Sequence, residues 1–101
     1  MDSNGTAETT TQTNWPIKWG SPEVLQCATE MLQRNGVSID TYLQRVLDGD
    51  YGLTDRGDGY INQLRESGQR FSALFELPDL SLLYISANEF GRTIVCDWIN
   101  H

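Results

Sequence analysis

Apolar residues recur every third or fourth position as far as Leu64 and every second position from Phe71 onward. The first period is that of a helix face and the second that of a strand face, so helices precede strands along the chain. Ile39, Tyr42, Leu43, Val46 and Leu47 form the cleanest one-face stripe. Val24, Leu25, Ala28, Met31 and Leu32 form another, opened by Ser21-Pro22-Glu23, which reads as a helix start with a Ser cap and a first-turn proline. Asn35-Gly36 closes that helix, and Ser38 caps the next. A third helix carries Tyr60, Ile61 and Leu64 on its apolar side.

Beyond Ser67-Gly68, Phe71, Ala73, Phe75 and Leu77 alternate with Arg70, Ser72, Leu74 and Glu76. Pro78-Asp79 and Asn88 to Gly91 are turns, and Leu80–Ala87 and Thr93–Ile99 complete the strands. The expectation is an α+β fold, with two to three N-terminal helices packed on a three-stranded antiparallel sheet, a meander. Residues 15–101 form that single domain. Met1–Asn14 is polar with almost nothing to bury, and reads as a disordered tail. Asn14 to Gly20 reads as a short edge strand or extended arm.

Fourteen acidic side chains stand against seven basic ones, a net charge of −7 over 101 residues. That sign disfavours direct nucleic-acid binding and anionic membranes, and favours a partner with a basic surface. No apolar run approaches the roughly 18 residues of a membrane span. Met1–Thr13 lacks the basic end and apolar core of a signal peptide, so cytoplasmic residence is expected. Cys27 and Cys96 read as two reduced, partly buried thiols.

Catalysis has no candidate: the sole histidine is His101, and no phosphate-cradling glycine loop or nucleophile–base pair occurs. Asp55 to Ile61 imitates half of a calcium loop, but the pattern then puts Arg65 where the bidentate carboxylate belongs. No metal site and no cofactor are expected. Asp48, Asp50, Asp55 and Asp58 alternate with glycines and read as an exposed acidic turn, with Tyr51 as an aromatic anchor among them. These five are the expected partner-binding residues. Acids so arranged can imitate the phosphates of a duplex, which carries about one charge per 1.7 Å of axis. Trp98 reads as core, whereas Trp15 and Trp19 read equally as core or interface.

Gly36-Val37-Ser38, Gly49-Asp50-Tyr51-Gly52, Asp58 with Asn62, Gly68-Gln69-Arg70 and Asn88 to Arg92 follow one another in an order that resembles a group of small acidic proteins of plasmids and other mobile elements, often labelled restriction–modification subunits. Tyr51 stands where that group has tryptophan, and Arg45-Val46 where it has an Arg-His pair. The resemblance implies a mobile-element origin. With the charge, it points to a stoichiometric inhibitor of a host defence nuclease complex, anti-CRISPR or anti-restriction in type. The alternatives are an accessory or regulatory module such as a toxin-neutralising partner, and a metal-dependent hydrolase. Self-association as a homodimer through the sheet edge is open to each.

Overall fold

The computed structural model describes residues 14–53, 58–88 and 90–98. A 3₁₀ turn at Ile17–Trp19 leads into β1 (Pro22–Val24), α1 (Gln26–Asn35), α2 (Ile39–Leu47) and α3 (Asp58–Glu66). Three strands follow: β2 (Phe71–Glu76), β3 (Leu82–Asn88) and β4 (Arg92–Asp97). Of the polar segment 1–14, expected to be a disordered tail, residues 1–13 lie outside the described residues.

The sheet has four strands in the order β1-β4-β3-β2, not three. β2, β3 and β4 make the expected antiparallel meander, with Ala73 opposite Ile85 and Ile85 opposite Val95. The correction comes from β1, which pairs parallel to β4 through Pro22–Thr93, Glu23–Ile94 and Val24–Val95 and makes the sheet mixed. Ser21-Pro22-Glu23 therefore opens a strand and not a helix. Pro22 fits the first position of an edge strand, where its missing N–H costs no ladder bond. Glu23 is drawn to β4 by a two-pronged ion pair with Arg92, at 3.0 and 3.1 Å. The Leu25 amide donates to the Val95 carbonyl at 2.9 Å, which delays the helix to Gln26. Local cap propensity loses to tertiary pairing.

Other elements follow their sequence signals. The Gly36 amide donates to the Gln33 carbonyl and the Val37 amide to the Leu32 carbonyl, both at 3.1 Å, closing α1 in a left-handed cap. Ser38 Oγ accepts from the Asp40 amide at 3.2 Å and starts α2. The end of α1 is tied to the β2–β3 turn, because Asn35 Oδ1 accepts from the Asp79 amide and Arg34 pairs with Asp79 at 2.7 Å.

Phe71, Ala73, Phe75, Leu83, Ile85, Ala87 and Val95 are buried on the sheet face that meets Ala28, Met31, Leu43 and Val46 of the helices. Trp15 and Trp19 join this core, with Trp19 edge-on to Phe71 at 5.0 Å. The expected arm is thus folded in as a 3₁₀ turn. Buried Thr93 fixes it, accepting from Trp15 Nε1 at 3.0 Å and donating to the Trp19 carbonyl at 2.7 Å. Trp98, expected in the core, is instead 37% exposed and lies 5.1 Å from Tyr84 on the opposite sheet face.

Two backbone positions predict stability. Gly52 has φ of 72°, and a Cβ there would fall 2.0 Å from the Leu74 carbonyl oxygen. Gly52→Ala should lower unfolding free energy by more than about 1 kcal/mol. Leu80 also has a left-handed φ of 72° and is 72% exposed, so its side chain adds strain and little burial. Leu80→Gly should raise stability by about 1 kcal/mol in denaturant unfolding.

Candidate functional site

The acidic turn begins where α2 ends. Asp48 is the C-cap residue of α2, and its carboxylate accepts from Gln44 Nε2 at 3.1 Å. A carboxylate at that end opposes the partial negative charge of the helix dipole. Compensation comes from α3. Arg65 Nη1 donates to the Val46 carbonyl at 2.9 Å and Nη2 to the Leu47 carbonyl at 3.2 Å, so a cation meets the last turn of α2.

The same guanidinium donates to the Tyr51 hydroxyl at 3.1 Å, and that hydroxyl donates to Asn62 Oδ1 at 2.6 Å. Tyr51 is 0% exposed, with its ring edge-on to Phe71 at 6.1 Å. This corrects its expected role. Tyr51 is an internal post, not a surface anchor. Gly52 explains the burial: lacking a side chain, it lets the segment run against β2, where the Leu74 amide donates to the Tyr51 carbonyl at 3.1 Å. That bond turns the Tyr51 ring toward the core.

Asp50 stays at the surface but is not a free charge. Its Oδ2 accepts from Arg45 Nε at 2.8 Å and its Oδ1 from the Gly52 amide at 3.0 Å. The Arg45 bond first, and the Gly52 amide second, hold its carboxyl below the usual range. Asp55 lies outside the described residues, and so do Arg56, Gly57 and the side chain of Asp58 in the calcium-loop-like stretch. Of the five expected residues, the structure therefore describes an exposed Asp48, a paired Asp50 and a buried Tyr51.

Two features went unread in the sequence. Ile17 and Phe90 are 95% and 84% exposed, on turns whose backbones touch: a Cβ on Gly20 would fall 2.1 Å from the Gly91 carbonyl oxygen. The second feature is a groove of about 450 Å³ between α3 and the sheet face opposite the main core. Leu74, Tyr84 and Trp98 floor it, while Tyr60 and Leu64 wall it. Its signal was the apolar residues on both alternating sets of β3 and β4, such as Leu83 with Tyr84 and Val95 with Ile94.

Among the described residues, no cluster of three or more His, Cys, Asp or Glu is placed to hold a metal ion, and no helix is long and apolar enough to cross a membrane. Cys27 and Cys96 are both free, and burial pushes the Cys96 thiol up from its ordinary value.

The inward hydroxyl of Tyr51 makes a testable difference. Tyr51→Phe should cost about 1–3 kcal/mol by leaving Asn62 and Arg65 short of a partner, and Tyr51→Ala about 3–5 kcal/mol, both by chemical denaturation. The carboxyls of Glu23, Asp50 and Asp79 all lie below their ordinary values, held there by Arg92, by Arg45 and, for Asp79, by Ser81 and Arg34. Their stabilisation is complete above the unfolded carboxylate pKa and is lost as pH falls through the folded one. The melting temperature should be flat down to about pH 5 and fall below about pH 4.

Comparison with protein-family models, curated protein sequences and solved structures gave no match, so the likeness to mobile-element proteins rests on the motifs quoted above.

Proposed function

We propose that the chain is a stoichiometric binding protein rather than an enzyme, and that it acts by covering a basic surface of another protein. The exposed tip carries this reading. Ile17 and Phe90 project from turns that are locked together at Gly20 and Gly91. Large apolar side chains held in water on a rigid support are what a protein interface uses as anchors. Here they take over the role first expected of Tyr51.

Charge sets the kind of partner. Arg34, Arg45 and Arg92 are each engaged by one carboxylate, and Arg65 is turned onto carbonyl groups. Exposed Glu30, Asp48, Glu66 and Glu76 stand against them on the surface. The excess favours a cationic face, such as the nucleic-acid channel of a defence nuclease of CRISPR or restriction type. A mobile-element inhibitor of such a complex is the specific form we propose.

Purified protein titrated into a reconstituted DNA-cleaving defence complex should stop cleavage at one equivalent. Inhibition should weaken about tenfold or more in an Ile17→Ser, Phe90→Ser variant, and weaken with added salt. Inhibition unchanged in that variant, or multiple turnover of any substrate by the protein alone, would sink the reading.

A further inference from the structure

The groove beside α3 has a chemical polarity of its own. Its floor and wall are aromatic and aliphatic: Tyr84 and Trp98 from the sheet, Tyr60 and Leu64 from the helix. α3 passes through a tight turn into β2, so Arg70 and Ser72, at the start of the strand, lie at the Leu64 end. The other end is formed by Leu53, whose amide donates to the Leu74 carbonyl at 2.6 Å. One end is therefore cationic and hydroxylic, and the rest is apolar.

Arg70 distinguishes this from an accidental crevice. Among the described residues, Arg34, Arg45 and Arg92 each engage a carboxylate and Arg65 engages carbonyls, while Arg70 has neither ion pair nor hydrogen bond. In a chain with seven more acids than bases, a guanidinium without a carboxylate partner among the described residues, at the end of a groove, is suited to an anionic ligand. The space, about 450 Å³, is in the range of small-molecule sites.

We infer that the groove binds a small amphipathic carboxylate, a fatty or aromatic acid, with its head on Arg70 and Ser72 and its apolar body over Tyr84 and Trp98. The carboxylate takes a charge-assisted hydrogen bond from the guanidinium, and the body removes the solvent-accessible part of the Tyr84 and Trp98 rings from water. A net-acidic surface would by itself prefer an organic cation, so the ligand's sign is a sharp discriminator. The groove shares no lining residue with the Ile17–Phe90 tip, and neither reading depends on the other.

Dodecanoate, below its micellar concentration, is the probe, titrated into the full chain by calorimetry and tryptophan fluorescence. Trp15 and Trp19 are buried, so the change reports Trp98. One dodecanoate per chain should bind saturably, about tenfold more weakly in Arg70→Gln and near the wild-type level in Arg70→Lys. Dodecyltrimethylammonium, with the same tail and the opposite head, should bind at least tenfold more weakly than dodecanoate. Arg70 is exposed, so both variants should melt like the parent. Absence of saturable binding, equal or tighter binding of the cation, or an affinity indifferent to Arg70→Gln would each overturn the inference.

Discussion

The Val46 and Leu47 carbonyls, the Tyr51 hydroxyl and the ring of Trp19 all converge on the guanidinium of Arg65, whose carbon lies 5.4 Å from the centre of that ring. This one side chain joins α3 to the end of α2, to the segment after it and to the N-terminal 3₁₀ turn. It also answers an electrostatic problem. The last turn of α2 is the negative end of the helix dipole and carries Asp48 as its cap, so negative charge accumulates there. A flexible lysine would place a point charge nearby. The planar fork of arginine satisfies two carbonyls and a hydroxyl together while its face lies on an indole.

From that junction outward, the fold depends on backbones approaching more closely than side chains allow. Gly52 lets the post-α2 segment bridge to Leu74, and Gly20 lets the 3₁₀ turn rest on the β3–β4 turn. The first contact sits on the β2 edge of the sheet and the second at the β3–β4 turn. Together with β1 on β4, they bind segments remote in sequence onto the antiparallel meander. The meander alone would leave both of its edges open, and those pairings cover part of each.

Much of this architecture was legible. The change of apolar period near Leu64 placed the helices before the strands, and the Gly36 cap and the Ser38 cap stand where their residue types indicated. What escaped the sequence were interactions between distant segments. Nothing local at Ser21-Pro22-Glu23 announces that Arg92, far along the chain, will draw Glu23 onto a strand edge. Tyr51, between glycines and beside acids, has every local mark of an exposed turn. Its burial follows from Arg65, Asn62 and Phe71, which no short window contains. Trp98 was misread for the opposite reason: apolar alternation shows that a strand has two faces without saying which one the helices cover.

The placement of arginines decides what the surface presents. Three of them hold a carboxylate each, and a fourth is spent inside on carbonyls, so interior and paired positions absorb most of the described guanidinium groups. The remaining field is anionic over the body as a whole, with Arg70 as a local exception at the groove. These two scales do not cancel. At physiological ionic strength, charges farther apart than about 8 Å are largely screened. A ligand head seated against Arg70 therefore feels that cation far more than the acids spread over the rest of the molecule. A large cationic partner integrates over many acids at once and feels the net charge. One small domain can thus present a negative face to a protein and a positive point to a small acid, because screening separates the two.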